Sequence, residues 1–330
     1  MRFERLDLNL LVALDALLTE RSVSLAAERI CLSQSATSSA LGRLRDYFGD
    51  DLLVVKGRQM VLTARGETLV APVRDVLTQI RDTIAVTPPF DPATTERNIS
   101  FMASDYATEV LLADALREMA VLAPNLAFEI QPMSDQPVDV LERGQIDFLL
   151  TVDFAISADH PSEILFQDDH VVIGWDQNPA MHGPIDEDTF FSLGHVTSRF
   201  GKARILAFDD WFTRRQSRER RMEVVAPSFL SIPGLLIGTN RIATLHRRLA
   251  TRMAKSLPVV IRELPLAIPP IREAVQWDIS NNNDPAIRWV VERLVAVAKD
   301  EPARATNVVP MEGYEAMGRE FLASNEKRNG

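Results

Sequence analysis

The stretch RSVSLAAERICLSQSATSSALGRLR, Arg21 to Arg45, decides the fold of the N-terminal part of the chain. Two short helical patterns lie on either side of a tight turn. Ser22 and Ser24 are candidate helix caps, because a serine hydroxyl accepts from a free backbone N–H at a helix start. Leu25, Ala26 and Ile30 then recur at helical spacing. Cys31-Leu32-Ser33 reads as the turn, with Ser33 capping a helix predicted to end near Phe48. Leu41, Leu44 and Phe48 fall on one face of that helix, and Gln34, Ser35, Ser38, Ser39 and Arg45 largely elsewhere. Amides, hydroxyls and guanidinium groups are the side chains that read base edges in a major groove. By itself the stretch fits either an ordinary helical hairpin or a helix-turn-helix.

The flanks favour the second. Asp7 is placed to cap a first helix whose Leu8, Leu11, Val12, Leu14, Leu17 and Leu18 form an apolar stripe. Beyond Gly49-Asp50-Asp51 comes a β-like run, Leu52 to Val55, then the basic turn Lys56-Gly57-Arg58 and a return strand, Met60-Val61-Leu62. This is a wing with a positive tip, whose Lys56 and Arg58 would lie against phosphates. Thr63 reads as the cap of the next helix and as a further backbone contact. In that helix, Leu69, Val73, Val76 and Ile80 follow the spacing of a coiled-coil seam, extended by Ile84 and flanked by Leu77. Pro72 can kink or break it near its start. Such a helix packs on its own chain or pairs with its twin. Thr87-Pro88-Pro89-Phe90-Asp91-Pro92 ends it and marks a domain boundary.

After the prolines the period changes. Strands are expected at Ile99–Ala103, Ala127–Gln131 and Ile146–Val152, with helical stretches between them that include Val138–Arg143, closed by Gly144. The alternation implies a parallel sheet in an α/β domain. The grammar restarts after residue 163, with strands at Glu163–Phe166, His170–Trp175, Met222–Val225, Ile242–Leu245 and Ala274–Ile279. Helical stretches are expected in Asp186–Leu193, Ala207–Gln216, Asn240–Met253 and Asp284–Lys299, so two readings overlap at Ile242.

A net charge of −10 is unusual for a chain with a DNA-reading pattern. The first 65 residues hold nine Lys or Arg and eight Asp or Glu, 9 − 8 = +1, so the remainder carries −10 − 1 = −11. A basic wing and helix dipoles can hold phosphate without a basic protein around them. A length of 330 residues implies two or three domains. The N-terminus does not read as a secretory signal, and no run reaches a membrane span, so a cytoplasmic protein without membrane contact is expected. Cys31 is the single cysteine, which leaves no disulfide pair; its position suggests a small buried packing residue.

The segments LDLNLLVALDALLTERSVSLAAERICLSQSATSSALGRLR, DDLLVVKGRQMVLTARGETL and LERGQIDFLLT together resemble the LysR-type transcriptional regulators. The opening MRFERLDLNLLVALDALLTER, the stretch GTNRIATLHRRLA from Gly238 and NNNDPAIRW around Pro285 most resemble the subgroup that regulates nodulation genes and aromatic-compound degradation. Two departures bear on base preference: Ser35 stands where the family often has proline, and Ser39 where a basic residue is common. The resemblance implies a winged helix-turn-helix DNA-binding domain (1–63), a linker dimerisation helix and hinge (64–90), and an α/β effector-binding domain of two periplasmic-binding-protein-like subdomains (91–300). A charged tail (301–330) extends beyond it. It also implies an activator that pairs into dimers and then a homotetramer, and partners that include double-stranded promoter DNA, a small aromatic inducer and RNA polymerase.

Candidate DNA contacts are Ser33, Gln34, Ser35, Ser38, Ser39, Arg43, Lys56, Arg58 and Thr63; candidate dimerisation residues are Leu69, Val73, Val76 and Ile80. In a two-lobed α/β domain, ligands sit in the cleft at strand ends and helix starts. Ser104, Thr151, His195, Arg199, Phe200 and Phe229 are the candidate effector contacts: hydroxyls for a phenolic or anionic oxygen, Arg199 for a carboxylate, and phenylalanine rings for stacking. Each has a structural alternative as a cap, core residue or surface ion pair. His160, His170, His182, His195 and His246 show no ligand spacing, so no metal is expected, and no cofactor motif is present. Asp168-Asp169 and Asp209-Asp210 read as solvated surface, not as acid/base pairs. Two other classes compete: a two-lobed small-molecule-binding protein, and an α/β enzyme without a recognisable catalytic motif.

Overall fold

Serine caps start the two helices of the N-terminal motif. Ser22 Oγ accepts from the Leu25 N–H at 3.4 Å and opens α2 (Val23–Arg29); Ser33 Oγ accepts from the Ala36 N–H at 3.2 Å and opens α3 (Gln34–Phe48). The computed structural model describes residues 8–57, 59–84, 90–200, 205–206, 209, 213–214, 218–299 and 314–329. The expected cap Asp7 and wing residue Arg58, and the Thr87–Pro89 part of the boundary, lie outside the described residues, as does most of Ala207–Gln216.

The N-terminal unit packs α1 (Leu8–Glu20), α2 and α3 around Leu10, Leu14, Leu17, Leu18, Ala26, Leu41 and Leu44. Each such leucine contributes about 1.5–3 kcal/mol by leaving water. The antiparallel wing strands β1 (Leu53–Lys56) and β2 (Gln59–Leu62) follow, then α4 (Ala64–Ile84), which continues through Pro72. A Cβ at Gly66 would lie 2.5 Å from the Leu52 carbonyl oxygen, so only glycine lets the first turn of α4 sit against the wing.

Three apolar expectations fail here. Leu8 and Val12 of α1 are 49% and 39% exposed, and Leu25 of α2 is 45% exposed, because three short helices bury a narrower stripe than periodicity suggests. Cys31 is exposed, not buried. It occupies the turn between α2 and α3 with φ +54, a left-handed conformation that turns its side chain away from the core. In the expected seam, Val73 is buried in the chain's own core with Leu77, and Leu69 packs against the same cluster. Val76 remains 42% exposed.

The second unit holds two sheets. Subdomain I has the order β4-β3-β5-β13-β6: β3 (Arg97–Met102), β4 (Leu126–Gln131) and β5 (Phe148–Val152) are parallel, and β13 (Ile271–Trp277) runs antiparallel between β5 and β6 (Ser162–Asp168). Subdomain II has the order β10-β8-β11-β7-β12. Its β8 (Gly194–Phe200), β10 (Arg221–Ala226) and β11 (Ile242–His246) are parallel; β7 (His170–Trp175) runs antiparallel between β11 and β12 (Val259–Glu263), so β12 shares the direction of β11; the short β9 (Ile205–Leu206) pairs with β8. The sheets are therefore mixed, not parallel. The reversed strands are β7 and β13, each the strand that a crossover enters, β6 to β7 and β12 to β13. The overlap at Ile242 resolves as strand followed by helix, α8 (Arg247–Met253); β8 and β12 are strands that the period had not marked. The remaining helices are α5 (105–122, with a π-turn at Thr108–Leu112), α6 (Pro137–Glu142), α7 (Glu187–Ser192), α9 (Pro285–Lys299) and α10 (Tyr314–Asn329).

Candidate nucleic-acid interface and ligand cleft

Helix α3 has two unlike faces. Thr37, Leu41 and Leu44 are buried, while Gln34, Ser35, Ser38, Ser39 and Arg43 are exposed in a row along the other side. Ser33 is also exposed, but its hydroxyl caps the helix and shares a 3.0 Å hydrogen bond with Ser35 Oγ. Arg45 does not share that exposed row. Its guanidinium donates to the carbonyl of Asp51 (2.8 Å) and to that of Leu53 (2.7 Å), tying the end of α3 to the start of the wing.

A second tie comes from Asp50, which accepts from the Leu52 N–H (2.7 Å) and from the Thr63 hydroxyl (2.6 Å). These hydrogen bonds, the one from Thr63 first, hold the Asp50 carboxyl below its usual range. The Thr63 oxygen in turn accepts from the Gly66 N–H at 3.0 Å. Thr63 is thus the cap foreseen in the sequence, and its hydroxyl is committed to the wing base and α4, not presented to a phosphate. Lys56 is exposed near the wing tip.

In the second unit, the C-terminal ends of parallel strands converge where the subdomains meet, the usual ligand position in α/β sheets. Ser104 follows β3 and caps α5, accepting from the Ala107 N–H at 3.1 Å. Two residues later, buried Tyr106 donates its hydroxyl proton to Asp168 Oδ2 at 2.7 Å. Asp168 ends β6 at the first crossover and also accepts from the Arg248 N–H, at 3.1 and 3.3 Å to its two oxygens. One carboxylate therefore joins the first helix of subdomain I to the helix that follows β11 in subdomain II. Phe229, in the loop after β10, contacts the Tyr106 ring (centroids 6.1 Å) and the His246 ring (5.1 Å); Tyr106 and His246 are 4.4 Å apart. The neighbouring Leu230 N–H donates to Asp105 at 2.7 Å.

Burial dominates the electrostatics. It pushes Asp168 up to about 6, against the Tyr106 and Arg248 hydrogen bonds that pull it down. It pushes Glu273, on β13 beside the second crossover, up to about 8, helped by the charges of Asp168 and Asp153. Tyr106 is raised well above its ordinary value by burial and then by Asp168 and Glu273. Burial lowers His170, while Asp209 and Asp169 oppose the shift; it lowers His246 further, aided by His170 at 4.8 Å. Near neutral pH the cluster holds neutral histidines and a protonated Glu273.

Of the residues expected at the cleft, Ser104 and Phe229 come to one place. Thr151 lies near the C-terminal end of β5, and Arg199 one residue beyond the Ser198–Ala226 pairing that leads to Phe229. Phe200 ends β8, and its side chain lies outside the described residues. His195 is misplaced by the sequence reading. It sits at the opposite end of β8, paired in register with Met222 and Ile242, fully buried, with Nε2 2.7 Å from the Phe190 carbonyl. The four-residue offset from Arg199 corresponds to about 13 Å of strand.

The acidic pairs are also corrected. Asp168 is 5% exposed for the reasons above, and Asp209 is 5% exposed in an ion pair with Arg220 at 2.9 Å, which also donates to Thr244. Tyr106, Asp168, His170, His246, Arg248 and Glu273 carried no joint signal, because they come from four separate segments, at 106, 168–170, 246–248 and 273. Among the described residues no group of three or more His, Cys, Asp or Glu is arranged to hold a metal, and no helix is long and apolar enough to cross a membrane.

Comparison with known proteins agrees with this architecture. Residues 8–67 match the model of the bacterial regulatory helix-turn-helix proteins of the lysR family, and residues 93–299 that of the LysR substrate binding domain. The chain is 42% identical to nodulation protein D 1 of Rhizobium tropici over 290 residues, 88% of this chain and 94% of the relative. It is 42% identical to nodulation protein D of Bradyrhizobium sp. (strain ANU 289), covering 91% and 89%. Among solved structures, the "probable transcriptional regulator PA0477" of Pseudomonas aeruginosa aligns with a TM-score of 0.59 at 27% identity, covering 89% of this chain and 98% of that one. Full-length OxyR of Pseudomonas aeruginosa shares the fold with a TM-score of 0.63 at 18% identity, covering 91% and 99%. The chain belongs to the LysR family of transcriptional regulators, and it is a regulator, not an enzyme.

Proposed function

We propose that this regulator reads operator DNA with the exposed row Gln34, Ser35, Ser38, Ser39 and Arg43 and grips the phosphate backbone with Lys56 and Arg58 of the wing. The observation that carries the reading is the division of α3: Thr37, Leu41 and Leu44 are taken up by the core, while Gln34, Ser35, Ser38, Ser39 and Arg43 stand exposed with hydrogen-bonding groups. The exposed apolar residues Leu8 and Val12 of α1 and Val76 of α4 suit a second copy of the chain, so that two heads meet a dyad-related operator. By likeness to the family, dimers pair into tetramers, and the assembly activates transcription with RNA polymerase in the cytoplasm.

A small aromatic effector is assigned to the cleft, resting against Tyr106 and Phe229, with Ser104, Thr151 and Arg199 as polar contacts. The ring cluster and the hydrogen-bonded Tyr106–Asp168 junction support this. A ligand that prefers one arrangement of the subdomains shifts the equilibrium by its differential affinity, about 1–3 kcal/mol for typical coupling. The chain is similar to nodulation proteins, and its membership of the LysR family of regulators favours activation over simple storage of a ligand.

Operator selection from a random DNA library, followed by titration of the selected site, tests the DNA half. Gln34→Ala should lose roughly 1–3 kcal/mol on the selected site and little on random DNA. Unchanged sequence preference would remove α3 from the proposal. Calorimetry with hydroxylated aromatics, aliphatic amino acids and sugars tests the cleft. An aromatic ligand should bind, and Ser104→Ala and Phe229→Ala should weaken it without changing operator affinity. Tight sugar binding, or normal aromatic binding by both variants, would overturn the cleft assignment.

A further inference from the structure

Helix α10 (Tyr314–Asn329) lies beyond residues 93–299, the span matched by the family's effector-domain model. Its sequence has little amphipathic character as a whole, yet Met317, Gly318, Phe321 and Leu322 form one short stripe at helical spacing. That stripe is docked. Phe321 is 7% exposed and meets Phe154, 8% exposed, edge to face with ring centroids 5.8 Å apart. Met317 and Leu322 pack against the same core. At Gly318 a Cβ would overlap the Phe154 ring, so the missing side chain forms a notch into which the ring fits.

The place of docking matters more than its area. Phe154 belongs to the turn Asp153–Ala155 that leaves β5 directly, two residues beyond Val152, which pairs with Glu273 of β13. Asp153, in the same turn, forms an ion pair with Arg272, also on β13 and next to the second crossover. The end of subdomain I that carries Thr151 and Glu273 is therefore joined by backbone pairing and an ion pair to the turn beneath α10. Ala323, on the other side of the helix, is exposed.

We propose that the C-terminal helix is a clasp: seated on Phe154 through the Gly318 notch, residues 314–329 hold the β5–β13 end of subdomain I in place and restrain the crossover at which the subdomains part. Its occupant is the chain's own tail, and the inference does not depend on the class of effector. Release of the helix uncovers two phenylalanine rings and frees the Asp153–Arg272 turn to move with β13. A segment of this kind sets the energy of the unliganded arrangement from outside the cleft.

The test is hydrogen–deuterium exchange, read by peptide mass spectrometry, on the full chain, on Gly318→Leu, on Ala323→Leu and on a chain ending at residue 313. In Gly318→Leu and in the shortened chain, peptides covering 148–155, 166–170 and 271–277 should exchange at least tenfold faster. Peptides in 172–175 and 242–245 should be unchanged. Ala323→Leu, which alters only the exposed side, should match the unmodified protein. Unchanged exchange at 148–155 and 271–277 in Gly318→Leu would overturn the proposal. So would equal acceleration throughout both subdomains, which would make α10 a general part of the core and not a clasp on one end.

Discussion

Replacing Glu273 by glutamine should abolish one component of the protein's pH dependence. Glu273 is 3% exposed, and burial, with the charges of Asp168 and Asp153 adding to it, raises its carboxyl from 4.5 to about 8. The folded state therefore keeps a proton that the unfolded chain has released. Stability from this source is fully present below about pH 4.5, declines as pH rises, and is lost once the folded group ionises above about 8. The other perturbed groups of the cluster act elsewhere: Asp168 between 3.8 and about 6, the lowered histidines below their ordinary 6.5, and Tyr106 above its ordinary 10. Between pH 6.5 and 9 Glu273 stands apart from them. The folded proton persists for 8 − 6.5 = 1.5 pH units, which at 1.36 kcal/mol per unit is about 2 kcal/mol. A glutamine has a similar shape and no charge to expel. Denaturant unfolding followed by tryptophan fluorescence at pH 6.5 and 9 would read it, since Trp277 lies on the same strand. The full chain should lose about 2 kcal/mol more than Glu273→Gln over that interval. An identical loss in both proteins would mean that Glu273 is already ionised at pH 6.5, and the burial argument would fail.

Other consequences follow from the N-terminal unit. Arg45→Ala removes two hydrogen bonds from a cationic donor, one to the carbonyl of exposed Asp51 and one, part-buried, to that of Leu53, and should lower the stability of the helix-turn-helix by roughly 1–3 kcal/mol. Because the wing is then free to shift, affinity should fall alike on operator and random DNA; thermal unfolding and fluorescence anisotropy measure the two effects. Lys56→Ala should leave folding intact and reduce the slope of log affinity against log salt by about one unit, read from titrations over a range of salt concentrations. Val73→Asp buries a charge in the chain's own core and should unfold the unit, whereas Val76→Asp at an exposed position should keep native circular dichroism and shift sedimentation toward the monomer. A folded Val73→Asp, or a dimeric Val76→Asp, would contradict the division of α4 described above.

The N-terminal head was legible in the sequence because its signals are local. Ser22, Ser33 and Thr63 cap helices within three residues of themselves, and the break from helical to alternating period at Leu52 marks the wing. Many element types of the second unit were legible for the same reason, but β8 and β12 were not. Burial was not, because it depends on what arrives from elsewhere: Leu25 and Cys31 look internal and are exposed, Asp168 and Asp209 look external and are buried. Nor can a strand's sequence say which of its ends faces a cleft, so His195 and Arg199, four residues apart, divide between the core and the cleft end only once β8 is placed between β10 and β11. The Tyr106, Asp168, His170, His246 and Glu273 cluster is assembled by two crossovers from four distant segments, and the desolvation that raises its carboxyls and lowers its histidines exists only after that assembly. The sequence by itself determined the family, the helix-turn-helix and its exposed polar face, because these rest on spacing within one helix or turn. The tertiary structure alone decided which side chains lose water and which charges meet, and with them the electrostatics of the subdomain junction and the place of the C-terminal helix.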